Sequence, residues 1–125
     1  MSLRCVIVDD NPDFLKAATK VLEGDGVAVV GVASNSAQAI ERCVELRPDV
    51  TLVDIKLGQE DGFELARLLR RTGTDELSPV ILISTYAEGD FADMIAASSA
   101  LGFVSKRCLS GKAIQQLVAS ASPGR

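Results

Sequence analysis

Five short apolar segments, each followed by a segment of helical periodicity, constrain the fold of this chain more than any other feature. The apolar segments are rich in β-branched residues and span residues 4–8, 27–32, 49–53, 80–83 and 102–105. Strands that alternate with helices pair in parallel through right-handed crossovers. Because these strands are apolar on both faces, helices must cover both sides of the sheet. The pattern therefore predicts an α/β fold with one doubly wound parallel sheet.

Start and stop signals delimit the helical segments. Asn11 followed by Pro12 is typical of an N-cap with proline at the first helical position. Ser36 and Ser110 are predicted to open the second and fifth helices, and a third helix is predicted over residues 63–71. The apolar residues at helical spacing, which we expect on the inner faces, are Phe14, Leu15, Ala18, Val21, Leu22, Ala39, Ile40, Cys43, Val44, Phe91, Met94, Ile95, Ala113, Ile114, Leu117, Val118 and Ala121.

Composition argues against several functional classes. The 125 residues are 47% hydrophobic and 24% charged, as in a globular domain with one core. A net charge of −4 without a basic run argues against direct nucleic-acid binding, and the lack of histidine excludes histidine catalysis and the usual zinc sites. No signal peptide and no apolar stretch of about 18 residues is found, so we expect a cytoplasmic protein that does not bind membranes. Three cysteines without CxxC spacing predict reduced, mostly buried thiols.

Polar residues follow four of the five predicted strands at the point where each strand ends. Asp9 and Asp10 follow the first strand, Asp54 the third, Ser84 the fourth and Lys106 the fifth. Because ligands of such sheets bind at the carboxyl ends of the strands, we expect these residues to lie together. Three carboxylates at one edge repel one another unless a cation lies among them. Oxygen ligands alone suit Mg²⁺, Mn²⁺ or Ca²⁺.

Such a site can hold a phosphoryl group as well as a metal. Mg²⁺ bound by few carboxylates keeps open positions for phosphate. Lys106 would supply a compact positive charge and Ser84 a hydroxyl donor. An aspartate there can act as a nucleophile and become an aspartyl phosphate. Each residue alone is more typical of a turn, a helix cap or a surface lysine, but their joint placement on four strand ends favours a site.

Five segments of the chain together match a known pattern. They are Val8-Asp9-Asp10-Asn11, residues 48–55, Asp61-Gly62-Phe63-Glu64-Leu65, Ser84 and residues 102–106. In this combination essentially the whole chain resembles the receiver domain of bacterial two-component response regulators. The resemblance implies a flavodoxin-like (βα)5 sheet of strand order 2-1-3-4-5. It implies a receiver domain over residues 1–121, with residues 122–125 as a tail or the start of a linker.

The resemblance also implies an acceptor and a metal site. Asp54 would accept a phosphoryl group from a phosphohistidine of a sensor histidine kinase. Asp10 and Asp54 would bind Mg²⁺ directly, and Asp9 would bind it through water. The backbone carbonyl of Lys56 would complete the ligands that the protein provides.

The remaining implied roles concern the response to phosphorylation. Lys106 and Ser84 would bind the phosphoryl group, and Ser84 and Phe103 would move as a switch. This movement would reshape the surface of the fourth helix, fifth strand and fifth helix, with a possible homodimer on phosphorylation. In the family, the residues at the positions of Lys56 and Tyr86 flank the entry of the attacking water. We therefore predict that these two residues modulate the lifetime of the phosphoryl group.

The chain departs from the family pattern at two places. Arg107 replaces the common proline after Lys106, and we expect a trans bond there because a cis bond before a non-proline residue costs about 2.5–4 kcal/mol. Leu57-Gly58-Gln59 replaces the common Met-Pro-Gly, in a loop framed by Gly58 and Gly62, which we expect to loosen the loop next to Asp54. None of the five site residues is missing.

The output of the switch has two interpretations. Residues 29–35 and 102–109 resemble receivers that precede a helix-turn-helix domain of the LuxR/NarL/FixJ type. The chain is then a receiver from a transcription regulator whose DNA-binding domain is absent from this sequence. A stand-alone receiver is the other interpretation.

Two other classes are disfavoured, and we expect no enzyme with a separate substrate. A Mg²⁺-dependent aspartyl-phosphate phosphatase or phosphotransferase usually carries a second acid two residues after its nucleophile, where this chain has Lys56 and Asn11. A cap domain would not fit in 125 residues either. A nucleotide-binding flavodoxin-like protein needs a phosphate loop, which Gly24, Gly26 and Gly31 do not form.

Overall fold

The computed structural model describes residues 2–70, 78–86 and 88–120. The strands in these ranges are β1 (Arg4–Val8), β2 (Ala28–Ala33), β3 (Val50–Asp54), β4 (Lys56–Leu57), β5 (Glu60–Asp61), β6 (Val80–Ser84) and β7 (Gly102–Ser105). The α-helices are α1 (Pro12–Gly24), α2 (Ser36–Leu46), α3 (Gly62–Arg70), α4 (Ala92–Ala97) and α5 (Gly111–Ser120). Two short 3₁₀ helices cover Glu88–Phe91 and Lys106–Cys108.

Five parallel strands form the central sheet in the order β2-β1-β3-β6-β7. Counted among the strands of this sheet alone, the order is 2-1-3-4-5, which confirms the predicted flavodoxin-like fold. β4 and β5 form a separate antiparallel ribbon between β3 and α3. The chain leaves β1 toward β2 on one side and returns to β3 on the other. The switch in strand order therefore lies between β1 and β3, where ligands bind in such sheets.

Alternate residues of the strands enter two apolar layers, one on each face of the sheet. Val6 and Val8 of β1 pack in the layer under α2 and α3. Cys5, which precedes Val6, and Ile7, which lies between Val6 and Val8, pack in the layer under α1 and α5. This alternation follows from the two-residue period of a strand. Both layers are closed by helices, as the apolar strands predicted.

Strand boundaries differ from the predicted ones by one residue in three strands. β2 covers Ala28–Ala33 instead of 27–32, β3 covers Val50–Asp54 instead of 49–53, and β6 continues to Ser84. The hydrophobic pattern marks burial, but the hydrogen-bonded register continues one residue further. Asp54 and Ser84 are therefore the last residues of their strands and are held by the sheet itself.

Three predicted core residues are exposed instead. Val21, Val44 and Met94 are 45%, 53% and 50% exposed. Val21 and Val44 each lie one residue from a buried neighbour, which turns them about 100° away from the core. Met94 lies on α4, whose six residues are all at least partly exposed. The prediction was wrong because short apolar runs on a helix extend beyond its buried face.

Other expectations are met in part. Cys5 and Cys43 are buried free thiols, but Cys108 is exposed. α2 begins at Ser36, but the capping side chain is that of Asn35, which accepts from the amide of Gln38. Helix α3 is described as far as Arg70, and the predicted ends at 71 and 121 lie outside the described residues, as does the tail at 122–125. In the described part of the chain, no helix has the length and apolar content needed to cross a bilayer.

Candidate functional site

The three predicted acids converge at the switch in strand order. Val8 of β1 pairs with Val53 of β3, so Asp9 and Asp54 leave the sheet side by side. Among the described residues, one carboxylate oxygen each from Asp9, Asp10 and Asp54 lies within 4.8 Å of the others. Asp9 and Asp54 are buried, whereas Asp10 is exposed. The cluster therefore opens to solvent on the side of Asp10.

Lys106 reaches the acids from the far strand of the sheet. Its ammonium lies 2.5 Å from Oδ2 of Asp9 and 3.3 Å from Oδ2 of Asp54. The lysine side chain is only 13% exposed, so water screens these contacts weakly. One ammonium thus offsets part of the charge of two buried carboxylates.

The carboxyl group of Asp54 is not in an ordinary environment. Burial raises the pKa of Asp54 to about 6, the positive charge of Lys106 opposes this rise, and the negative charge of Asp9 adds to it. The amide of Lys56 also donates to Oδ1 of Asp54, at 3.3 Å. Desolvation outweighs the lysine, so the ionised form of Asp54 is destabilised relative to an exposed aspartate.

The donor set fits a divalent cation such as Mg²⁺. Three carboxylates face one ammonium, so the cluster carries an excess of negative charge when all three are ionised. Oδ2 of Asp9 is buried and has no hydrogen bond of good geometry within the described part of the chain, despite its ionic contact with Lys106. Such an oxygen is suited to accept a cation or one of its bound waters. Lys56 is the first residue of β4, and the role of its carbonyl as a ligand stays a prediction.

The two predicted switch residues lie on neighbouring strands. Ser84 ends β6, is 1% exposed, and its Oγ accepts from the amide of Tyr86 at 3.0 Å. Phe103 is half-buried on β7 and packs against the layer under α2 and α3. The hydroxyl of Ser84 is therefore held by a local turn, and the movement of both residues stays a prediction.

Lys56 and Tyr86, predicted to flank the site, contact each other. The Lys56 ammonium lies 4.7 Å from the centre of the Tyr86 ring, within the range of a cation–π interaction. The Tyr86 ring meets Phe91 edge-on at 5.9 Å, and Phe91 lies 6.2 Å from Phe63. Sequence analysis predicted Lys56 and Tyr86 beside the site. It did not find the contact of Phe91 with Tyr86 or that of Phe63 with Phe91.

Gly62 packs directly against the backbone of Asp54, the last residue of β3. A Cβ at this position would lie 2.1 Å from the backbone oxygen of Asp54, so a side chain cannot be placed there without moving the backbone. The amide of Gly62 donates to the carbonyl of Ile55 at 2.9 Å. The sequence pattern placed Gly62 only at the edge of a loop and as part of the family motif. Its second role is to let α3 approach Asp54.

The two departures from the family pattern have local explanations. All peptide bonds in the described ranges are trans, so the expected trans bond before Arg107 is confirmed. The amide of Arg107 donates to Oγ of Ser105 at 3.3 Å, which a proline could not do. In the loop next to Asp54, Leu57 is buried and pairs with Glu60 in the ribbon, and the expected loosening of this loop stays a prediction.

Phe14 is the residue of the site that sequence analysis missed. It was predicted as a core residue of the first helix, but its ring centre lies 4.3 Å from the Lys106 ammonium. Its position four residues after Asp10 is the only signal in the sequence that could have suggested this placement.

The site and the sheet together define a class of protein. An acid pair after β1, a buried aspartate at the end of β3 and a lysine after β7, in a sheet of order 2-1-3-4-5, are the elements of a flavodoxin-like receiver. The chain belongs to the response regulator receiver domain family, whose sequence profile matches residues 5–119. Domains of this family take part in two-component signalling and interact with histidine kinases.

Individual relatives agree with this family. A protein-glutamate methylesterase/protein-glutamine glutaminase of Nocardioides sp. is 35% identical over 101 residues, covering 80% of this chain and 26% of that protein. The response regulator GacA of Pseudomonas viridiflava is 30% identical over 105 residues, covering 83% of this chain and 48% of that protein. The chain thus spans half or less of the length of these relatives.

A solved structure shows the same architecture. The two-component response regulator of the LuxR family from Aurantimonas sp. SI85-9A1 superimposes with a TM-score of 0.84 and 25% identity. The match covers 96% of this chain and 87% of that one. Similarity to a LuxR-family receiver agrees with the resemblance found in the sequence.

Proposed function

We propose that this chain is a phosphorylation-controlled switch in which Asp54 is the phosphoryl acceptor. The observation that carries the proposal is the position of Asp54, buried at the end of β3 beside Asp9 and 3.3 Å from the ammonium of Lys106. A carboxylate that is desolvated and destabilised is a better nucleophile than one in water. The donor is a phosphohistidine of a sensor histidine kinase.

The transfer is a displacement at phosphorus. A carboxylate oxygen of Asp54 forms a bond to phosphorus while the bond from phosphorus to the donor imidazole nitrogen breaks. The electron pair of that bond stays on the imidazole, and the product is an acyl phosphate. Mg²⁺, held by Asp9, Asp10 and Asp54, would offset the charge on the transferring oxygens. Lys106 lies close enough to Asp54 to donate to a phosphoryl oxygen.

The response is a shift between two conformations of the domain. Ser84 would leave its turn with Tyr86 to donate to the phosphoryl group, and Phe103 would turn further into the core. This favours an active conformation that already exists at a low population. The surface of α4, β7 and α5 changes, and a homodimer on that surface is one way to transmit the change.

The output is proposed to be control of transcription in the cytoplasm, through a DNA-binding domain beyond this chain. The structural similarity to a LuxR-family response regulator, and a relative of Pseudomonas aeruginosa named as a transcriptional regulator that is 33% identical over 104 residues, support this output. A methylesterase domain is a second candidate, because relatives with that name match over a similar part of this chain. A receiver that acts alone is the third. In each case the receiver itself turns over no separate substrate, since its acceptor is its own Asp54.

Intact-mass spectrometry tests the acceptor. The protein is incubated with acetyl phosphate and Mg²⁺, beside an Asp54→Asn variant. One added phosphoryl mass that requires Mg²⁺ and is lost in the variant supports the proposal. An adduct that persists in the variant contradicts Asp54 as acceptor. If the wild type gains no mass, binding of beryllium fluoride distinguishes a receiver that accepts only from its kinase from one that binds no phosphoryl group.

A further inference from the structure

We propose that Phe14 is a positioning residue for Lys106, and that its ring face holds the lysine ammonium at the carboxylate pair. The inference rests on the proposed function, in which Lys106 binds the phosphoryl group. The ammonium lies 4.3 Å from the ring centre, well within cation–π range. The same ammonium contacts Asp9 and Asp54 at 2.5 Å and 3.3 Å.

The ring is held by the same turn that holds the acids. The amide of Asn11 donates to Oδ1 of Asp9 at 2.9 Å. The side chain of Asn11 in turn accepts from the amides of Asp13 and Phe14 at the start of α1. Phe14 is half-buried and packs against the layer under α1 and α5. A chain of hydrogen bonds and a packing contact therefore fix the ring relative to Asp9.

Lys106 needs such a support because, among the described residues, its ammonium contacts only the two carboxylates and this ring. The backbone turn is capped by Ser105, whose Oγ accepts from the amide of Arg107. The ammonium ends a flexible four-carbon stem. Its two carboxylate partners change when Asp54 carries a phosphoryl group or a cation lies among the acids. The ring is uncharged and changes in neither event, so it keeps the ammonium within reach of a phosphoryl oxygen throughout the reaction.

Two substitutions distinguish an effect of the aromatic ring of Phe14 from an effect of its apolar volume. Phe14→Leu removes the ring and keeps an apolar side chain, whereas Phe14→Tyr keeps the ring. The rate constant of phosphorylation at saturating acetyl phosphate and Mg²⁺ should fall about three- to tenfold in the leucine variant and stay within about twofold in the tyrosine variant. In a Lys106→Met background, Phe14→Leu should have no further effect. An equal loss in both backgrounds would overturn the proposal, because the ring would then act on the fold and not on the lysine.

A second readout does not depend on phosphorylation. In nuclear magnetic resonance spectra, the ε-CH₂ protons of Lys106 should be shifted upfield by the ring in the wild type and the tyrosine variant. The shift should vanish in Phe14→Leu. Ordinary lysine shifts in the folded wild type would contradict the contact itself. If the wild type accepts no phosphoryl group but the upfield shift is present, the proposed function fails while the contact stands.

Discussion

Oδ2 of Asp9, which follows the first strand of the sheet, lies 2.5 Å from the ammonium of Lys106, which follows the last. The contact spans the carboxyl edge of the sheet from β1 to β7, and Asp54 lies beside it, 3.3 Å from the same ammonium. One lysine thus serves two buried carboxylates. A cation bound among the acids would compete with this lysine, so we expect binding of Mg²⁺ to be coupled to the position of Lys106.

The raised pKa of Asp54 predicts a stability effect. Its pKa of about 6 in the fold exceeds the ordinary value of 3.8. The folded state therefore binds the proton more tightly than the unfolded state, and its stability falls as pH rises between these values. Asp54→Asn should raise the free energy of unfolding at pH 7.5 in EDTA by about 1–2 kcal/mol, and the gain should disappear near pH 4.

Urea unfolding at the two pH values measures this effect. Asp93→Asn, an exposed acid in the first turn of α4, is the matched control and should change little. If Asp54→Asn is less stable than the wild type at pH 7.5, the contacts of the Asp54 carboxylate stabilise the fold by more than its desolvation costs, and the prediction is wrong.

The same pKa predicts how binding of Mg²⁺ depends on pH. The cation binds the ionised form of Asp54, and only about a tenth of the acid is ionised one pH unit below its pKa. Mg²⁺ affinity should therefore fall about tenfold between pH 7.5 and pH 5. Calorimetric titration measures this change. The fall should be much smaller in Asp54→Asn, and an equal fall in both proteins would assign the titration to another group.

Gly62 predicts a steric effect on the acceptor. A methyl group there meets the backbone oxygen of Asp54 at 2.1 Å, and backbone cannot give way cheaply. Gly62→Ala should destabilise the fold by about 2–3 kcal/mol and slow phosphorylation of Asp54. Gly24→Ala is the control, since a methyl group there contacts nothing within 4 Å and helix propensity should stabilise α1 by up to about 1 kcal/mol. Chemical unfolding measures the free energy of unfolding of both variants. If Gly62→Ala is as stable as Gly24→Ala, the backbone near Asp54 adapts to the methyl group and the prediction is wrong.

The contact between Lys56 and Tyr86 predicts that both side chains prolong the lifetime of the acyl phosphate. The two side chains lie together after β3 and β6, and we propose that they cover the approach of water to Asp54. Lys56→Ala and Tyr86→Ala should each speed hydrolysis about two- to fivefold, and the double variant should not be fully additive. Decay of the phosphorylated protein after removal of the donor measures this. Tyr86→Phe keeps the ring and should decay like wild type; unchanged decay in both alanine variants would show that neither residue shields the site.

Sequence periodicity predicted the order of the elements, the parallel sheet and the meeting of Asp9, Asp54 and Lys106 at one edge. These follow from local rules, because alternating strands and helices leave few topologies and place all strand ends on one side. Boundaries were less well predicted. The last residues of β3 and β6 belong to the hydrogen-bonded ladder, which hydrophobic pattern does not report, and Val44 and Met94 lie on apolar runs wider than the buried faces.

The sequence by itself therefore determined the fold class and the set of polar residues at the strand ends. Only the tertiary structure decided the contacts that act on those residues: the ring of Phe14 on Lys106, the backbone of Gly62 against Asp54, and Lys56 over Tyr86. Each contact joins separate elements of the chain. Its geometry depends on how helices pack on the sheet and on which rotamers that packing allows, and neither is encoded in local periodicity.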